Sequence, residues 1–124
     1  MATNPRVLIV EDEPGIRRLL SLVLAADYDV DAVEDGERAL DQIASTDYAA
    51  AVVDVKLPGI DGYSVCRAIR ARPGGDRVKI VLCSGWIESP AAGRERGCEA
   101  DAFLAKPVSP TALRTELQRL LAAG

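Results

Sequence analysis

Residues 49–59 read Ala49-Ala50-Ala51-Val52-Val53-Asp54-Val55-Lys56-Leu57-Pro58-Gly59. Small and β-branched apolar residues follow one another without polar alternation, which describes a strand covered on both faces, the habit of parallel sheets. The run stops at a carboxylate, and Pro58-Gly59 then turns the chain. The same arrangement occurs near the N-terminus, where Val7-Leu8-Ile9-Val10 ends at Glu11-Asp12-Glu13. Two buried-looking strands ending in acid, with Lys106-Pro107 arriving later, point to one pocket that holds a divalent cation and takes a phosphoryl group.

Outward from these two strands, strand-like and helix-like segments alternate. Pro14-Gly15 opens a helix with Ile16, Leu19, Leu20, Val23 and Leu24 on one face. Val30, Ala32 and Val33 make a second strand, Asp35-Gly36 turns the chain, and Ala39, Leu40, Ile43 and Ala44 form the next helical stripe. Asp61 is placed to cap a third helix with Val65, Cys66 and Ile69 on its core side, stopped by Pro73-Gly74-Gly75. Val78 to Cys83 is a fourth strand, and Ser89-Pro90 opens a fourth helix that is weak, because Gly93 and Gly97 and several alanines give it little to bury. Ala102, Phe103 and Leu104 form the fifth strand, and Ser109-Pro110 caps a last helix carrying Leu113, Leu117, Leu120 and Leu121.

Five strands alternating with five helices through short connections predict a doubly wound α/β domain, since parallel neighbours need crossovers and helices supply them. In the flavodoxin-like order 2-1-3-4-5, the chain reverses direction in the sheet between strands one and three. Ligands bind outside the carboxyl ends of strands at that point, where Glu11, Asp12 and Asp54 would converge.

Composition bounds the function. With 124 residues, 48% hydrophobic and 27% charged, the chain is expected to form one domain, 1–124. A net charge of -4 argues against a surface for phosphate backbones, so direct nucleic-acid binding is not expected. Neither a signal peptide nor a membrane span is evident, which predicts a cytoplasmic protein. Histidine is absent, which removes the Ser-His-Asp triad and means that any phosphohistidine must come from a partner. Cys66, Cys83 and Cys98 are odd in number and lack CxxC spacing, so three buried or half-buried thiols are expected rather than a disulfide or a zinc site.

The runs 7–13 and 52–62, the group Cys83-Ser84-Gly85, and Phe103-Leu104-Ala105-Lys106-Pro107 together resemble the receiver domains of two-component response regulators. The resemblance spans nearly the whole chain and implies a role for each residue. Asp54 would be the phosphoacceptor, its carboxylate attacking the phosphorus of a phosphohistidine on a histidine kinase or phosphotransfer protein. Asp12 and Asp54 would bind Mg2+ directly, Glu11 through a metal-bound water, and the backbone carbonyl of Lys56 would complete the protein's share of the shell. At an effective dielectric of about 20, each like-charge pair at about 4 Å costs roughly 4 kcal/mol, so a phosphoryl anion needs such a cation beside these acids.

Lys106 would bind one phosphoryl oxygen and the Ser84 hydroxyl another, and Phe103 would turn inward as Ser84 moves. That motion would switch the surface of the fourth helix, fifth strand and last helix for a downstream protein or a fused output domain, with the protein a monomer or a phosphorylation-dependent dimer. Ser84 stands where threonine is more usual in the family, and Lys56 and Trp86 would tune the lifetime of the acyl phosphate. The Lys-Pro bond is cis in relatives, while sequence permits either isomer.

Plainer readings stand beside these. Asp12 and Asp61 taken singly serve equally well as helix caps, Phe103 as core, Ser84 as a backbone partner, and Arg67, Arg70 and Arg72 as a solvated face. An aspartyl-phosphate hydrolase is a second function, but the general acid such enzymes place two residues after the nucleophile is here Lys56, which predicts a signalling phosphoacceptor and not a turnover enzyme. A pseudo-receiver serving only as an interaction module is a third, opposed by the full set of charged residues.

Overall fold

The computed structural model describes residues 4–85 and 98–123. Five parallel strands, β1 (Arg6–Val10), β2 (Asp29–Val33), β3 (Ala50–Asp54), β4 (Lys79–Ser84) and β5 (Ala102–Ala105), lie in the order 2-1-3-4-5. Four α-helices are described, α1 (Pro14–Leu24), α2 (Gly36–Ser45), α3 (Gly62–Ala71) and α4 (Pro110–Ala123), with a 3₁₀ turn over Gly75–Arg77. Trp86 and the helix expected from Ser89-Pro90 lie outside the described residues.

Strand periodicity decides which helix each side chain meets. Leu8, Val10, Ala51, Val53, Ile80 and Leu82 point to one face and bury Ala39 and Ile43 of α2 with Val65, Cys66 and Ile69 of α3. Their neighbours Val7, Ile9, Ala50, Val52, Val81 and Cys83 point to the other, against Leu20 and Leu24 of α1 and Leu113, Leu117 and Leu120 of α4. Each fully buried leucine contributes about 1.5–3 kcal/mol, so both helical layers are held by the continuous apolar runs of the central strands.

Capping follows the expectation at Asp61 and Ser109, with Asp35 and Glu13 as additions. Asp35 accepts the Arg38 N–H at 2.8 Å, Asp61 accepts that of Ser64 at 2.9 Å, and the Ser109 hydroxyl accepts that of Ala112 at 3.2 Å. At α1 the cap is Glu13, whose carboxylate accepts from Gly15 and Ile16. Two positions assigned to helical core stripes are instead on the surface: Leu19 is 48% exposed and Ala44 is exposed. Each lies at the edge of its stripe, and the sheet covers only the narrower arc centred on Leu20 and Leu24, or on Ala39 and Ile43.

The cysteines also differ from expectation. Cys66 on α3 and Cys98, ahead of β5, form a disulfide with Cα atoms 5.8 Å apart, and Cys83 is the buried free thiol. Pairing was invisible in the sequence because the partners are 32 residues apart and meet only after α3 and the segment ahead of β5 pack on the same sheet face. Arg70 and Arg72 are not a solvated face either. Arg70 donates to the carbonyls of Gly75, Val78 and Glu99 and pairs with Asp101, while Arg72 donates to the Thr46 carbonyl.

Candidate functional site: three carboxylates and a lysine at the switch point

β1 lies between β2 and β3, so the carboxyl ends of β1 and β3 are adjacent, with Val10 in register with Val53. The Glu11 N–H donates to the Val33 carbonyl at 3.1 Å, continuing the ladder one residue beyond β1. Glu11 is thereby turned inward and is 3% exposed, while Asp12 is exposed at the rim. Asp54, the last residue of β3, is 5% exposed. Carboxylate oxygens of Glu11, Asp12 and Asp54 all lie within 4.8 Å of one another.

Lys106 reaches this group from beyond β5. Its N–H donates to the Ser84 carbonyl at 2.8 Å, and the Lys106-Pro107 bond is cis. Its ammonium lies 2.7 Å from Glu11 Oε1 and 2.8 Å from Asp54 Oδ2. Remaining acceptor positions are also engaged: Glu11 Oε2 takes the Glu13 N–H at 3.1 Å and Asp54 Oδ1 that of Lys56 at 3.2 Å. Arg17 donates to the Glu11 carbonyl at 2.9 Å, a contact that could not be read from the sequence because nothing there distinguishes Arg17 from Arg18 beside it on α1.

Electrostatics follow from burial. Loss of hydration raises the Glu11 carboxyl above its ordinary value, partly countered by the hydrogen bond from Lys106. Burial lowers the Lys106 ammonium, but the hydrogen bonds and charges of Asp54 and Glu11 outweigh it and the net direction is up. Burial pushes the Cys83 thiol, in register with Asp54, up to about 12, so it stays protonated and inert.

The loop after Asp54 is held by two glycines for different reasons. Gly59 has φ 73°, a left-handed conformation. Gly62, the first residue of α3, packs so tightly that a Cβ there would lie 2.3 Å from the Asp54 carbonyl oxygen and 2.7 Å from the Val55 Cα. The start of α3 therefore rests on the backbone that carries Asp54.

Of the sequence-predicted residues, Glu11, Asp12, Asp54 and Lys106 converge. Ser84 ends the neighbouring strand β4 and is buried. Phe103, in register with Leu82, is half-buried against the α2–α3 face. Lys56 turns an exposed side chain outward while its N–H holds Asp54. A cleft of about 320 Å³ lined by Tyr48, Ile69, Arg72 and Val78 opens at the opposite end of the strands, remote from these groups.

A flavodoxin-like sheet with an acidic, lysine-bridged pocket at its switch point is the class that fold and site define. The family model of the response regulator receiver domain matches residues 7–118, and the chain belongs to that family. It is 38% identical over 120 residues to the transcriptional regulatory protein TcrA of Mycobacterium tuberculosis, covering 96% of this chain and 47% of that protein. The chain thus spans about half the length of the curated relatives it matches. Among solved structures, the receiver domain of sensor histidine kinase PA1611 from Pseudomonas aeruginosa PAO1, with a magnesium ion in its active-site cleft, is 32% identical with a TM-score of 0.82, covering 97% of this chain and 99% of that one. The response regulator TrrA from Thermotoga maritima, in complex with Mg2+ and BeF, is 32% identical with a TM-score of 0.79, covering 94% and 98%.

Proposed function

We propose that Asp54 accepts a phosphoryl group from a phosphohistidine of a partner histidine kinase or phosphotransfer protein, and that the acyl phosphate switches the surface around β5 and α4. A carboxylate oxygen of Asp54 bonds to phosphorus as the phosphorus–nitrogen bond breaks and its electron pair returns to the partner's imidazole. The observation that carries this reading is the meeting of three carboxylates within 4.8 Å under one ammonium that bridges Glu11 and Asp54.

Hard oxygen donors in such a cluster suit Mg2+, and Glu11, Asp12 and Asp54, with the Lys56 carbonyl, are the groups that would hold it. When bound, the ion supplies positive charge that offsets the repulsion between these acids and an incoming phosphoryl anion. The protein's own residues do the rest. The Lys56 N–H orients the Asp54 carboxylate, and the Lys106 ammonium exchanges its contact with Asp54 for a phosphoryl oxygen. The Ser84 hydroxyl, buried at the end of the adjacent strand, binds another oxygen and draws β4 toward Asp54. Phe103 then repacks with Leu82, its partner across the β4–β5 ladder, and a few kcal/mol of differential interaction is enough to invert the equilibrium.

This is a signalling role and not turnover, since no acid stands two residues after Asp54 to serve a leaving group. None of the described helices is long and apolar enough to cross a membrane, which supports placing the domain in the cytoplasm with its kinase and with a protein target or fused output domain. Incubation with acetyl phosphate and Mg2+ tests the reading. A single adduct of one phosphoryl mass, absent in Asp54→Asn, is expected; steady release of phosphate from simple monoesters would instead favour a hydrolase, and no adduct would favour a pure interaction module.

A further inference from the structure

Cys66 and Arg70 stand one turn apart on α3 and grip the same segment. Cys66 is bonded to Cys98. Arg70 donates through Nε and Nη2 to the Glu99 carbonyl at 3.0 and 2.7 Å, and through Nη2 to the Asp101 carboxylate at 3.0 Å. Asp101 in turn accepts the Ile80 N–H at 2.7 Å and donates its own N–H to the Ile80 carbonyl at 2.8 Å. Residues 98–101 are thus fastened to α3 by one covalent and one ionic tie immediately before β5. Phe103 packs on the same apolar cluster as both cysteines.

We propose that Cys66 and Cys98 form a reversible thiol–disulfide site that latches the segment leading into β5 onto α3, so that redox state sets how freely the Phe103 face repacks. Two features beyond the bond itself support this. Cys83, the third cysteine, belongs to the cluster on the opposite face of the sheet, so it is no competing partner and the pairing is unambiguous. The Arg70 clamp does not depend on the sulfurs; in the dithiol form it keeps Cys98 beside Cys66, so that ring closure is an intramolecular step at high effective concentration. Disulfides in reducing compartments are typically transient and redox-sensing; on the proposed function, which places the domain in the cytoplasm and has the Phe103 face repack, a reversible latch suits this position better than a permanent staple.

The chemistry balances with a small-molecule disulfide such as oxidised glutathione as oxidant. One cysteine thiolate attacks a glutathione sulfur and releases glutathione thiolate; the second cysteine, losing its proton, attacks the mixed disulfide and releases the other. Two protein thiols are oxidised and one glutathione disulfide is reduced to two thiols. Both cysteines are 0% exposed, so exchange proceeds through local opening of residues 98–101, and the Arg70–Asp101 pair governs its rate as a positioning element.

The test uses the full chain in graded mixtures of reduced and oxidised glutathione, quenched with an alkylating reagent and mapped by mass spectrometry. The Cys66–Cys98 cross-link should titrate reversibly while Cys83 stays unlabelled until the protein is denatured. Amide exchange over residues 98–105 should be about tenfold faster or more in the reduced protein and in the Cys66→Ala/Cys98→Ala variant than in the oxidised protein. Arg70→Ala should slow re-formation of the cross-link by about tenfold. A cross-link absent at every ratio, one that reductant cannot open without denaturation, or exchange over 98–105 indifferent to redox state would each overturn the proposal. Should the double variant not fold, the reduced wild-type protein supplies the comparison. None of these readouts uses phosphorylation. A protein whose latch titrates but whose Asp54 takes no phosphoryl group in either redox form would refute the phosphoacceptor reading and leave the redox site standing.

Discussion

Removing the lysine amine tests the electrostatic design of the pocket most directly. In Lys106→Met the side chain keeps most of its length, but Glu11 and Asp54 lose the cation that stands 2.7 and 2.8 Å from them. Both acids are about 95% buried, at 3% and 5% exposure, and they share the cluster with Asp12. At the 4.8 Å bound on oxygen separations and an effective dielectric of about 20, one like-charge pair costs about 3.5 kcal/mol. Breaking a buried pair from one side typically costs about 3–5 kcal/mol. The lysine side chain is 22% exposed, so solvent screens part of this, and a loss of about 2–4 kcal/mol in unfolding free energy is expected without divalent cations. Urea unfolding in EDTA and in millimolar MgCl2 reads it. Most of the loss should return with Mg2+, because the cation takes over the role of the ammonium, and adding Asp54→Asn should recover much of it in EDTA. A loss below about 0.5 kcal/mol in EDTA, or one of equal size with and without Mg2+, would refute the idea that Lys106 is the pocket's counter-ion.

Gly62→Ala should destabilise the domain by about 1–3 kcal/mol, because its Cβ would meet the Asp54 carbonyl 2.3 Å away; it should also slow phosphorylation, and a thermal melt matching the wild type would contradict that packing. Burial raises the Glu11 carboxyl above 4.5, so its contribution to stability is complete below that value and is lost as pH rises through the higher folded value. Metal-free protein should therefore be relieved of this penalty on acidification, while Mg2+ affinity, which needs the ionised acid, should begin to fall at a higher pH than an ordinary carboxylate would dictate; calorimetric affinities that hold constant down to the ordinary carboxylate range would rule the shift out. Lys106 behaves in the alkaline range: its stabilisation is complete below 10.5 and is lost as pH rises through its raised folded value, which hydroxide-induced unfolding of the wild type against Lys106→Met should reveal. The Tyr48 hydroxyl donates its one proton to the Asp31 carboxylate at 2.7 Å, with Gln42 Oε1 3.1 Å away, and Tyr48→Phe should cost about 1–2 kcal/mol in denaturant unfolding, with no change in phosphoryl uptake.

Much of this molecule is written in short-range pattern. The runs 7–10 and 49–53 are short and have no polar alternation, so in a chain of alternating elements they read as strands of a parallel sheet, and the acid that ends each run falls at its carboxyl rim. Asp61 and Ser109 could be read as caps because capping is a contact within three residues. The four charged groups of the pocket were legible for the same reason: each is anchored to the end of a strand whose place in the sheet follows from the alternation of elements. What escaped was whatever depends on how far one layer slides or turns over another. Leu19 was assigned to the core although the sheet covers a narrower arc of α1, and Arg70 was assigned to solvent although Asp101 and the Glu99 carbonyl lie within its reach.

Sequence by itself determined that this chain is a doubly wound domain with Glu11, Asp12, Asp54 and Lys106 at one rim, because hydrophobic period and strand ends are properties of neighbours along the chain. Only the tertiary structure decided that the lysine bridges Glu11 and Asp54, that Glu11 turns inward with a raised carboxyl, and that Cys66 finds Cys98 across 32 residues. Those outcomes depend on the ångström-scale distance between groups brought from separate elements, and that distance is set by how the layers pack.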